Sequence, residues 1–130
     1  MEKPVIWIGT SKKDLTSFPD DVKREMGYAI HLAQFGDKHI NAKPIKGYAG
    51  AKTLEVVEDW NSDTYRAVYT VKFEDALYVL HCFQKKSKSG IATPKPDIKI
   101  INERLKYVES LIRQTKRKTR WYYDYPTWNQ

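Results

Sequence analysis

The sequence predicts an α+β domain, a small antiparallel sheet with helices packed on one face. Three observations carry this. Three β-rich runs, "KTLEVVEDW", "TYRAVYTVKF" and "ALYVLHCFQ", succeed one another through the tight-turn compositions "NSD" and "ED". Two stretches with apolar residues at three- and four-residue spacing flank them. The chain has 130 residues, 41% of them hydrophobic and 13% aromatic, which suits one modest core and is not the composition of disorder.

Taken in order, "PVIWIG" at 4–9 reads as a short buried strand closed by glycine. Ser11 is placed to cap a short helix that carries Leu15 and Phe18 and stops at Pro19. Asp20 or Asp21 then caps an amphipathic helix with Val22, Met26, Ala29, Ile30 and Ala33 on its apolar stripe, ended by Gly36. Residues 37–51 contain two glycines and a proline and read as loop. In the middle β-run, Tyr65, Ala67, Tyr69, Val71 and Phe73 face the core, which turns Arg66, Val68, Thr70 and Lys72 to the opposite surface. "TPKPDIKIINERLKYVESLIRQ" supplies the last helix, with Ile98, Ile101, Leu105, Val108, Leu111 and Ile112 buried. Residues 1–113 make the domain and 114–130 a basic, aromatic-rich extension.

Charge is unevenly placed. The chain carries a net +7, yet residues 84–120 hold 12 basic against 3 acidic side chains, a local +9. A cationic C-terminal third favours polyanionic partners such as nucleic acid. Cys82 is the single cysteine, so internal disulfides and thiolate zinc clusters are excluded. No apolar run reaches the length of a membrane span, and the N-terminus lacks a signal-peptide core. These features predict a cytoplasmic protein with no membrane partner.

The candidate chemistry narrows by elimination. Histidines 31, 39 and 81 have no ligand spacing, and HExxH, CxxC and phosphate-cradling glycine motifs are absent, so no metal and no cofactor is expected. Cys82 next to His81 is no nucleophile–base pair, because adjacent strand residues point to opposite faces; Cys82 reads as a small buried hydrophobe. The cationic corner "LHCFQKKSKSG" is left. Arg66 in the middle strand, with Lys72 on its face and Lys85 and Lys86 leaving the next strand, can hold a phosphate, since a guanidinium binds two of its oxygens and stays charged. Lys88, Lys116, Arg117, Lys118 and Arg120 extend that surface toward RNA. RNA supplies its own 2′-hydroxyl as nucleophile, and His81 has the titration range for proton transfer. Strict alternation puts His81 with Leu77, Val79 and Phe83 in the core, unless the strand bulges near its end. A lysine run also serves as a solvated edge that discourages aggregation, and a strand histidine is often simply packed. The tail aromatics Trp121, Tyr122, Tyr123, Tyr125 and Trp128 suit base stacking and docking on protein equally.

The pattern "TLEVVED…YRAVYTVKF…ALYVLHCFQKKSKSG…TPKPDIKIINERLKYV" resembles the HigB branch of the RelE-like toxins of toxin–antitoxin modules. The matching pieces are Leu54-Glu55, Tyr65-Arg66 with Tyr69, Leu80-His81 with Phe83, Lys85, Lys86 and Ser87, and Thr93-Pro94, within a span from about residue 4 to about 112. The resemblance implies a microbial-ribonuclease-like fold and a metal-independent mRNA endoribonuclease that acts on the ribosome. It also implies a cognate antitoxin, often a helix-turn-helix protein. By position Arg66 would contact the scissile phosphate, Lys85 or Lys86 would assist, and His81 carries over as a motif residue. Beside this stand a non-catalytic RNA- or ribosome-binding inhibitor and a partner-binding module on the same scaffold. With Arg66 on an open face, its replacement by alanine is expected to leave the fold intact.

Overall fold

The computed structural model describes residues 2–45, 52–86 and 92–124, with side chains through Arg117. Lys88, the side chains of Lys118, Arg120, Trp121, Tyr122 and Tyr123, and Tyr125 and Trp128 lie outside the described residues. Strands are β1 (Val5–Trp7), β2 (Ala42–Pro44), β3 (Thr53–Trp60), β4 (Asp63–Thr70) and β5 (Leu77–Lys85); helices are α1 (Ser11–Thr16), α2 (Asp20–Gln34) and α3 (Lys95–Asp124). The sheet order is β1-β5-β4-β3-β2, so Arg66 does lie on the central strand. The three predicted hairpin strands are antiparallel, and β1 joins β5 in parallel, which makes the five-stranded sheet mixed.

Local chemistry accounts for the turns. Between β3 and β4 the two linking residues, Asn61 and Ser62, both have positive φ (50° and 69°). That pair of left-handed residues is what a two-residue hairpin needs to follow the strand twist. Helix α2 ends where Gly36 takes φ +85°, and the Asp37 amide donates back to the Leu32 carbonyl at 2.9 Å, satisfying a terminal acceptor.

α1 and α2 pack on one face of the sheet. Leu15, Phe18, Val22, Met26, Ala29, Ile30 and Ala33 meet Leu54, Val56, Tyr65, Ala67, Tyr69, Leu77 and Val79. Each buried Val, Leu, Ile, Phe or Met among them contributes about 1.5–3 kcal/mol of apolar transfer free energy, and each alanine less. Helix α3 closes over part of the other face, where Ile101 and Val108 meet Val68, Tyr78 and Leu80.

Several details differ from the sequence reading, each for a packing reason. β1 is an edge strand, with Ile6 39% exposed, because it has a neighbour on one side only. Ser11 opens α1 instead of capping it, and its hydroxyl donates to the Val79 carbonyl. Pro19 is the N-cap of α2, so Asp20 and Asp21 fall in its first turn, where their charge suits the helix dipole. The segment read as loop contains β2, three residues paired to β3. Phe73 lies past the end of β4 and packs with Tyr78 on the second face. Leu111 is half exposed, and α3 runs unbroken past residue 114.

Tyr69 is fully buried, and its hydroxyl has no hydrogen-bond partner among the described residues. Burial pushes its pKa up to about 12. Tyr69→Phe should therefore stabilise the fold by about 1 kcal/mol at neutral pH. The unfolded tyrosine ionises near pH 10 while the folded one keeps its proton, so stability falls as pH rises from about 10 toward 12. The phenylalanine variant should lose less across that window. Urea unfolding at pH 7 and pH 11 checks both; equal or lower stability at pH 7 contradicts the expectation.

Candidate functional site

The face that bears Arg66 holds two polar clusters. The first is closed. Arg66 is 3% exposed, and its Nη1 lies 3.2 Å from Glu55 Oε1 on β3 and 3.3 Å from Thr93 Oγ1. The Thr93 hydroxyl donates to the other Glu55 oxygen at 2.7 Å, completing a ring of three side chains. The alternation of β4 put Arg66 on the expected surface, but that surface is not open. Glu55 and Thr93 both engage Nη1, and a phosphate at that nitrogen would have to displace Glu55.

The second cluster depends on a bulge. Val68 pairs with His81 and Tyr69 pairs with Val79, which leaves Leu80 as an extra residue in β5. One extra residue inverts the alternation. Leu77 and Val79 belong to the first core, whereas Phe83, two residues after His81, packs with the second. His81 therefore leaves the core face that strict alternation assigned to it and joins the face of Arg66. Cys82 remains on the α2 side, opposite His81. Its thiol pKa is raised to about 12 by burial, and by the Asp14 charge against a lowering from Arg104. It is a packed thiol with no thiolate character at neutral pH.

His81 is held on three sides. Its Nε2 is 2.7 Å from Asp97 Oδ1, its ring stacks on Phe83 at 4.8 Å, and its Nδ1 lies 3.5 Å from Arg104 Nη1. An aspartate acceptor at Nε2 puts the neutral ring's proton there and leaves a lone pair at Nδ1. Asp97 and Arg104 are seven residues apart on α3, two helical turns, so both reach the same strand residue. Arg104 Nη1 also donates to the Leu80 carbonyl at 2.8 Å, pinning the bulge. Its Nη2 donates to Thr10 Oγ1 at 3.3 Å, and Thr10 in turn donates to Asp14 at 2.7 Å. Gly9, with φ +57°, makes room: a Cβ there would stand 2.7 Å from the guanidinium carbon. Asp97, Arg104, Thr10 and Gly9 are the site residues that sequence reasoning missed. The helical spacing of Asp97 and Arg104 was visible, but nothing local tied it to His81.

β1 pairs with β5 over Leu77–Val79 only, so the edge of β5 beyond the bulge has no neighbouring strand among the described residues. A groove of about 500 Å3 runs there, lined by Asp14, Phe18, Tyr65, His81, Phe83 and Gln84. The lysines do not converge on it as one phosphate cradle. Lys85 donates to the Ala92 carbonyl at 3.4 Å, and Lys86 is exposed at the strand end. Lys72 pairs with Glu109 on α3 at 3.4 Å. Lys72 and Lys85 lie at opposite ends of β4, on the order of 25 Å apart at the rise of a strand. Lys116 and Arg117 are exposed on α3, 19 and 20 residues beyond Asp97, about 30 Å along the helix.

One grouping of metal-ligand types occurs among the described residues: Glu25, His39 and Glu58, with ligand atoms within 4.8 Å of one another. His39 Nδ1 accepts the Asn41 amide at 3.0 Å, so the ring proton sits on Nε2, facing Glu25 at 2.8 Å. The nitrogen that faces the carboxylates is thus a donor, and the cluster reads as a hydrogen-bonded clasp between α2 and the β2–β3 edge. No helix among the described residues is long and apolar enough to cross a membrane.

The family model described as phage derived protein Gp49-like (DUF891) matches residues 13–106. The chain belongs to this family. The Gp49-like span includes Glu55, Arg66, His81, Thr93, Asp97 and Arg104 of the two polar clusters, begins after Gly9 and Thr10, and ends before Lys116. A search of curated proteins found no match to this Gp49-like chain.

Proposed function

We propose that this Gp49-like protein is the toxin of a toxin–antitoxin module, an endoribonuclease that cuts mRNA on the ribosome and is neutralised by a helix-turn-helix antitoxin. The observation that carries the reading is the His81–Asp97 pair at 2.7 Å beside the groove at the β5 edge. An aspartate-oriented imidazole has the geometry of a general base. In RNA the group to be deprotonated is the adjacent 2′-hydroxyl, so the protein has to supply only orientation, a proton acceptor and charge stabilisation. The net +7 charge and the exposed Lys86, Lys116 and Arg117 support a polyanionic partner. The HigB-like motifs and membership of a phage-derived family support the module.

A second reading has its own support. Burial of Arg66 removes the guanidinium that was expected to hold the phosphate, and this favours a protein that blocks RNA or ribosomes by occupancy. Induced expression in bacteria, with transcript 5′ ends mapped with and without translation blocked, separates the two. The nuclease reading expects new ends inside coding regions that vanish when translation is blocked. Arrested translation with intact transcripts would replace it with occupancy.

A further inference from the structure

We propose that Arg104, not Arg66, is the cation that binds the scissile phosphate. This rests on the nuclease reading above and names the phosphate contact within it. The two arginines differ in what already neutralises them. Arg66 is ion-paired to Glu55 and closed in by Thr93. Arg104 spends its donors on neutral acceptors, the Leu80 carbonyl, the Thr10 hydroxyl and the His81 ring, and among the described residues no carboxylate is ion-paired with it. Its charge is therefore uncompensated at contact range. An anion with two oxygens is the ligand that a partly exposed guanidinium in that condition takes best.

Position supports the same assignment. Arg104 Nη1 and His81 Nδ1 are 3.5 Å apart and face one another, so a nucleotide's 2′-hydroxyl would take the place of Arg104 at Nδ1 and free one Nη1 hydrogen for a phosphate oxygen, beside the hydrogens that Nη2 and Nε have left. The backbone at Gly9 lies close under the guanidinium, where any Cβ would collide at 2.7 Å. Asp14, the nearest carboxylate on α1, is bonded by Thr10, which stands between it and Arg104. On the α3 side, Asp97 is engaged by His81 Nε2.

The step balances without a co-reactant. His81 Nδ1 takes the 2′-hydroxyl proton as the 2′-oxygen bonds to phosphorus. The phosphorus–5′-oxygen bond breaks, and the leaving 5′-oxygen collects a proton from the His81 imidazolium. The products are a 2′,3′-cyclic phosphate and a 5′-hydroxyl. Arg104 stabilises the charge that builds on the non-bridging oxygens.

The test uses the full chain. Transcript cleavage is measured in a translating extract for wild type, Arg104→Gln and Arg104→Lys, and inorganic phosphate is titrated into each while the His81 imidazole signals are followed by NMR. Loss of a single charge-stabilising donor should lower cleavage by about 100-fold or more in Arg104→Gln. Phosphate should shift the His81 signals in wild type and not in that variant, and Arg104→Lys should recover part of both. If Arg104→Gln fails to fold, Arg104→Lys decides, because it keeps a donor for the Leu80 carbonyl but loses the two-point grip. Wild-type cleavage in folded Arg104→Gln, or phosphate that leaves wild-type His81 unmoved, overturns the assignment while the nuclease stands. A wild type that cuts nothing overturns the nuclease reading instead, and the phosphate titration then judges Arg104 alone.

Discussion

Arg66→Ala should cost about 3–5 kcal/mol of stability, because it strands Glu55 as a buried charge without its guanidinium. Glu55 is 13% exposed and its two oxygens are committed to Arg66 and Thr93, so water cannot easily replace the lost partner. The expectation drawn from an open sheet face, that this variant keeps its fold, is corrected by the packing of α3 over that face. Replacing both partners together, Arg66→Met with Glu55→Leu, should recover most of the loss, since neither charge is then left buried alone. Urea unfolding of the single and double variants measures this. A single variant within 1 kcal/mol of wild type would mean that the Glu55–Thr93–Arg66 ring contributes little. Missing cut ends in Arg66→Ala would, on this account, report unfolding before chemistry.

His81→Asn should reduce transcript cleavage by about 10²–10⁴-fold, the usual contribution of a positioned general base. His81 is buried and bonded to Asp97, so the variant should also lose some stability, and cleavage is compared at equal folded fraction, set by urea unfolding of each protein. Asp97→Asn tests orientation separately. Asp97 meets His81 at Nε2, the nitrogen turned away from Arg104 and the proposed phosphate, so it positions the ring. Its replacement should lower kcat by less than His81→Asn does and leave KM unchanged, as expected of a group that acts through the ring. Cleavage by His81→Asn at wild-type level would remove the imidazole from the mechanism, whatever the fate of Asp97.

Much of this arrangement was legible residue by residue. Period-two alternation in β4 assigned Tyr65, Ala67 and Tyr69 to the α2 side and Arg66 and Val68 to the other, and the three-and-four spacing of Val22, Met26, Ala29, Ile30 and Ala33 marked the buried stripe of α2. Adjacent strand positions also separated Cys82 from His81. These inferences hold because backbone geometry alone dictates them. The bulge at Leu80 was not legible, since an extra residue is defined by the partner strand's register and by the Arg104 bond that pins its carbonyl. β2 was hidden for a similar reason: three residues with one proline carry no pattern until β3 supplies the hydrogen bonds.

By itself, then, the amino-acid order determined the class of fold, the faces of α2 and β4 and the cationic bias of its C-terminal third, all of which follow from local periodicity and charge count. Tertiary structure alone decided which cation is available. Glu55 reaches Arg66 across eleven residues and Thr93 reaches it across twenty-seven, whereas Arg104 crosses ninety-four to meet the Thr10 hydroxyl, with Asp14 held on the far side of that hydroxyl. Whether a charge is neutralised or left to bind depends on which groups the fold brings near it, because Coulombic energy depends on separation in space and not on position along the chain.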